Sequence, residues 1–110
     1  MIDFSYEKNK LLINGNVVRE FKCNILNVSE ISNSVIVLLD FKNYVGSDNV
    51  YCFNEDGALR WQIENRTYDV DNCPVAAIYG DTELILNRIC GFNEKINLED
   101  GKLIDTSFVK

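Results

Sequence analysis

The chain has no histidine among its 110 residues. This removes the side chain that most often serves as general base near neutral pH or as metal ligand, together with every Ser-His or Cys-His catalytic pairing. Proline occurs once, at Pro74, and tryptophan once, at Trp61. No apolar stretch approaches the roughly 20 residues of a membrane-spanning helix. The longest apolar run, Val35-Ile36-Val37-Leu38-Leu39, has the length of a strand. Met1-Ile2-Asp3-Phe4-Ser5-Tyr6-Glu7 lacks the basic start and apolar run of a secretory signal, so a cytoplasmic location without membrane contact is expected. P-loop, dinucleotide-binding and nucleophile-elbow motifs are absent. These gaps point away from catalysis. The expectation is a binding protein with no catalytic residues, no cofactor and no metal.

The four cysteines, Cys23, Cys52, Cys73 and Cys90, are 29, 21 and 17 residues apart. A zinc site usually shows a short C-x₂₋₄-C knuckle, and there is none. Cys23, Cys52 and Cys90 lie in apolar, strand-like runs, where cysteine behaves as a small hydrophobe. Reduced, buried thiols are therefore expected. Asp69-Val70-Asp71-Asn72 begins like a calcium loop but lacks the glycine and closing glutamate such a loop requires.

What is present is strand sequence. Helical periodicity is nearly absent, and short β-branched or aromatic runs alternate with Asn, Asp, Gly and Ser. The pattern predicts strands near 2–7, 10–14, 17–28, 34–41, 49–54, 58–64, 75–80, 83–90, 92–98 and 102–108, and hence one all-β domain over residues 1–110. Asn14-Gly15, Glu55-Asp56-Gly57, Gly80-Asp81 and Glu99-Asp100-Gly101 separate apolar runs, as hairpin turns do, because glycine reaches positive φ at no steric cost. Leu59, Trp61 and Ile63 alternate with Arg60, Gln62 and Glu64, which gives one buried and one wet face. Trp61 is thereby expected in the core. The run 35–39 is apolar on both faces and is expected at the centre of a sheet.

Two segments repeat. Asn49 to Ile63 and Glu94 to Asp105 each read as apolar strand, Glu-Asp-Gly turn and second strand, with the turns 44 residues apart. A period of about 40–45 residues is that of propeller blades. At Phe53-Asn54-Glu55-Asp56-Gly57-Ala58-Leu59-Arg60-Trp61 the chain resembles a blade of the quinoprotein-like β-propellers. A closed propeller needs at least four blades. The resemblance therefore implies antiparallel hairpins forming an open twisted sheet, a small sandwich or a partial propeller of about two blade-like units.

The net charge is −6, yet residues 1–30 carry four acids and four bases, so the whole excess lies in residues 31–110. Such a field repels nucleic acid and anionic membranes and attracts basic partners. The aspartates of Glu55-Asp56 and Glu99-Asp100 are expected to bond nearby backbone amides, as acids in Asp-Gly turns do. The longest polar segments, 42–48 and 64–74, each carry a tyrosine suited to an interface.

A small, acidic, histidine-free, hairpin-rich chain resembles the immunity proteins of bacterial toxin systems, of the contact-dependent growth inhibition type. That resemblance implies a cytoplasmic protein that binds and occludes a basic toxin domain, of nuclease type. The residues expected to bind are Tyr44, Asp48, Glu55, Asp56, Tyr68, Asp69, Asp71, Asp81 and Glu83. The competing expectations are an interaction module docking through a sheet edge, and an enzyme using Asp, Tyr or Cys within a pocket.

Overall fold

Eleven strands and no helix make up the regular structure among the described residues of the computed structural model, which are 2–42, 46–66, 73–80 and 82–108. The strands form three antiparallel sheets in which sequence neighbours are spatial neighbours. The first sheet holds β1 (Phe4–Glu7), β2 (Lys10–Ile13) and β3 (Asn16–Glu20). The second holds β4 (Ile25–Ile31), β5 (Ser34–Leu39), β6 (Val50–Asn54) and β7 (Leu59–Gln62). The third holds β8 (Val75–Tyr79), β9 (Leu84–Arg88), β10 (Phe92–Ile96) and β11 (Leu103–Phe108). All three are open and none closes into a barrel.

The second sheet lies between the other two, and the alternation of side chains along β5 explains why. Ile36 and Leu38 join Cys52, Trp61 and Ile63 in one apolar cluster with Val75, Leu84, Leu86 and Ile96 of the third sheet. Val35, Val37 and Leu39 join Tyr51 and Phe53 in another cluster with Leu11, Ile13 and Phe21. Every residue of β5 is buried, so a strand apolar on both faces packs against a layer on each side. The two end sheets need only one apolar face. In β9, Leu84, Leu86 and Arg88 are buried while Ile85 and Asn87 are half-buried on the opposite face.

The all-β expectation and its hairpins are found. The repeat appears as three meanders rather than about two units. The first meander turns at Asn14-Gly15 and has no Glu-Asp-Gly signal, so sequence similarity could not reveal it. The expected strand 17–28 is two strands, β3 and β4. Between them Phe21 packs edge-on to Phe53 and tilted on Tyr51, and its amide donates to the Asn9 carbonyl. The chain thus changes sheet through an apolar residue instead of a Gly or Pro. The β4–β5 turn is Ser32-Asn33, with φ of 47° and 62°, a positive-φ hairpin made without glycine.

One expectation is overturned. Cys73 and Cys90 form a disulfide, with Cα atoms 5.6 Å apart, while Cys23 and Cys52 are free thiols. Val75 of β8 pairs with Arg88 of β9. Cys73 lies two residues before that pair and Cys90 two residues after it, so the register itself brings the two sulfurs together. Sequence spacing alone does not contain this register.

Candidate functional site

The meanders sort their connections to two ends of the stack. At one end, here the turn end, lie Asn14-Gly15, Ser32-Asn33, Glu55 to Gly57, the β8–β9 turn and residues 97–102. Two glycines let these turns meet the neighbouring sheet. Gly57, at φ +92°, lies where an added Cβ would stand 2.8 Å from Val18 Cγ1. Gly101, at φ +74°, lies where it would stand 2.5 Å from the Trp61 indole. Both Glu-Asp-Gly turns therefore need glycine for backbone conformation and for space. Trp61 Nε1 donates to the Leu98 carbonyl at 2.8 Å, and Arg60 bridges Asn54 Oδ1, Ser34 Oγ and the same carbonyl. These contacts fix the 97–102 turn against β7.

The turn acids behave as their position requires. Asp56 Oδ1 accepts the Ala58 amide at 2.9 Å, and Asp100 Oδ1 accepts the Lys102 amide at 3.0 Å. Glu55 and Glu99 are exposed beside them. Glu55 and Asp56 line, with Ile2 and Asn14, a shallow cleft of about 290 Å³ between the first and second sheets. Glu83, also at this end, pairs with Lys95 at 3.3 Å across exposed surface, a contact of about 0–1 kcal/mol.

The opposite end, the loop end, centres on a buried arginine. The Arg88 guanidinium donates to the carbonyls of Ser47 at 2.6 Å, Cys73 at 2.8 Å and Glu64 at 3.2 Å. Its Nε faces Glu94 Oε1 at 2.8 Å, and Arg66 Nε holds Glu94 Oε2 at 2.7 Å. Arg88 and Glu94 are 1% and 0% exposed. Asp48 is at this end too, half-buried, with its carbonyl accepting from Gln62 Nε2.

Of the residues expected to bind, Glu55, Asp56 and Glu83 share the turn end. Asp48 does not, because the whole of β6 separates it from Glu55. Tyr44, Tyr68, Asp69, Asp71 and Asp81 lie outside the described residues. Glu99 and Asp100 join the turn end although they were expected only to support their turn; the 44-residue repeat was the signal that could have added them. Arg88 and Glu94 are not among the residues expected from the sequence. Their signal was a charge at an inward position, since Arg88 shares a face with Leu84 and Leu86, and Glu94 with Ile96.

Chemically, the turn end offers carboxylates and turn amides. Burial pushes the Cys52 thiol up to about 11 and raises that of Cys23. Among the described residues no group of three or more Cys, Asp or Glu side chains is placed to hold a metal ion, and no helix is long and apolar enough to cross a membrane.

Fold and site together define an open, three-layer all-β domain with one acidic, turn-built end. The chain belongs to a family described as a domain of unknown function, DUF7957, whose model matches residues 1–108. No curated protein matches it. Among solved structures it is similar to the computationally designed Ika8 protein, with a TM-score of 0.61 at 11% identity. The match covers 97% of this chain and 36% of that one, so this chain spans about a third of the length of the designed protein. At that identity the likeness is one of fold.

Proposed function

We propose that this protein acts by binding, as an immunity protein that occludes a basic toxin domain of nuclease type in the cytoplasm. The observation that carries this reading is the gathering of Glu55, Asp56, Glu83, Glu99 and Asp100 at one end of a braced stack. Asp56 and Asp100, each held by a turn amide, lose little conformational freedom on meeting a partner. Their combined field speeds encounter with Lys and Arg and selects against acidic proteins. A nuclease domain presents such basic groups where it holds phosphate, and a bound acidic surface denies that site to nucleic acid. The cleft lined by Glu55 and Asp56 gives one basic side chain a place to enter.

The test is capture from the source organism, followed by mass spectrometry. The bait is the full chain, set beside an E55Q/D56N/E99Q/D100N variant. Asn at positions 56 and 100 still offers an oxygen to the turn amide, so the variant keeps its hairpins. A basic toxin domain held by the native chain, released by rising salt and lost with the variant, supports the reading. A partner held equally by both, or capture of nothing basic, overturns it.

A second reading is docking through a sheet edge. Among the described residues β11 pairs only with β10, and its residues Leu103 to Ser107 are exposed, with Ile104 at 55%. An open edge of this kind accepts an extended strand.

A further inference from the structure

We propose that the Cys73–Cys90 disulfide is a thiol-reversible latch that controls how tightly the loop end is held, without being needed to hold the sheets.

Three carbonyls from three points in the chain converge on one guanidinium. Ser47 precedes β6, Glu64 follows β7 and Cys73 precedes β8. Arg88 thus gathers two of the connections at this end, β5–β6 and β7–β8. Cys73 sits where these contacts meet the disulfide. Its neighbours are held independently of sulfur. The Asn49 side chain donates to the Leu39 and Val75 carbonyls and accepts the Val75 amide. The Ile89 amide donates to the Pro74 carbonyl at 2.9 Å. Opening the disulfide leaves every one of these bonds available. What it removes is the covalent limit on how far Cys73 can move from the end of β9.

The two half-cystines differ in exposure. Cys73 is 0% exposed, whereas Cys90 is half-buried beside the exposed Ile89. The latch opens when a small thiol enters from the Cys90 side. Its thiolate attacks the Cys90 Sγ, forming a mixed disulfide and expelling Cys73 as a thiolate, which takes up a proton. A second thiol then attacks the mixed disulfide and releases Cys90 as a thiol. The reductant leaves as its own disulfide, and two electrons have passed to the protein. Cys52 does not compete, since it is fully buried with its thiol pushed up to about 11. In a glutathione-reduced compartment the latch stands open, and in an oxidising one it is closed.

The experiment compares the full chain oxidised, the same chain under dithiothreitol, and a C73S/C90S variant, by amide hydrogen exchange with thiol titration. Dithiothreitol is expected to free two more thiols without denaturant and to leave the far-ultraviolet dichroism unchanged. Exchange should quicken about tenfold or more at residues 46–49, 64–66 and 73–75, and stay slow in β5 and β6, because local opening is costed separately from global unfolding. The variant should match the reduced chain, and oxidised glutathione should restore protection in the native chain alone. Loss of the sheet signal on reduction overturns the latch in favour of an obligatory staple. Unchanged exchange, or a disulfide reducible only in denaturant, overturns it as well.

Discussion

Arg88 Nε and Glu94 Oε1 stand 2.8 Å apart on neighbouring strands of the third sheet, with both side chains shut away from water. Such a pair is costly to bury and costlier to break, because the survivor keeps its charge without its partner. Here the partners are unequal. Glu94 is held by two arginines, while Arg88 also satisfies three carbonyls. Glu94→Ala should destabilise the fold by about 3–5 kcal/mol, leaving Arg88 charged and facing Arg66. Arg88→Met should cost at least as much, because it orphans the buried carbonyls of Ser47 and Cys73 at about 1–3 kcal/mol each besides Glu94. Urea unfolding of the two single variants and the double variant checks this. The double variant should lie well short of the summed single losses, since each single change already breaks the shared contact.

Much of this architecture is legible in the sequence, for physical reasons. A two-sided apolar strand at 35–39 has to be sandwiched, and it is. Leu59, Trp61 and Ile63 are expected to share a face; Trp61 and Ile63 are core, whereas a register shift pairs Leu59 with Phe53 rather than in step with Trp61 and leaves it 44% exposed. What escapes is whatever depends on register. The Cys73–Cys90 bond follows from Val75 facing Arg88, which no spacing reveals. The β3–β4 break hides because Phe21 and Cys23 continue an apolar pattern across a change of sheet. The separation of Asp48 from Glu55, by contrast, was readable. Five residues of β6 lie between them, and extended chain at about 3.3 Å per residue puts them more than about 17 Å apart. Tyr44, Tyr68, Asp69, Asp71 and Asp81 fall outside the described residues.

The glycines of the hairpins are not equivalent, and alanine should separate them. At Gly15, φ is +79° and nothing lies within 4 Å of an added Cβ. Gly15→Ala should therefore cost only the left-handed backbone, about 1–2 kcal/mol. At Gly101 the same backbone penalty is joined by collision with the Trp61 indole. Overpacking a fixed core adds about 1–3 kcal/mol. Gly101→Ala should thus lose clearly more stability than Gly15→Ala, and should shift Trp61 fluorescence where Gly15→Ala does not. Thermal melts with emission spectra give both readouts. Equal losses at the two sites would mean that the turn is not braced on the indole.

The Cys52 thiol ties the core to alkaline pH. It is fully buried between β5 and β7, and burial pushes it from its ordinary 9.0 up to about 11. In the unfolded chain it ionises near 9, so between those values the folded state holds the proton more often than the unfolded state does. Stability must then fall as pH rises, because the unfolded form binds fewer protons. The contribution is fully present below about pH 9 and is lost progressively toward pH 11. Two pH units at 1.36 kcal/mol each set the loss at about 2–3 kcal/mol. Cys52→Ala should remove this slope while lowering stability at neutral pH by the packing it deletes. Urea midpoints of both proteins from pH 7 to 11 provide the measurement. Parallel curves for the native chain and the variant would show that the thiol is not the group responsible.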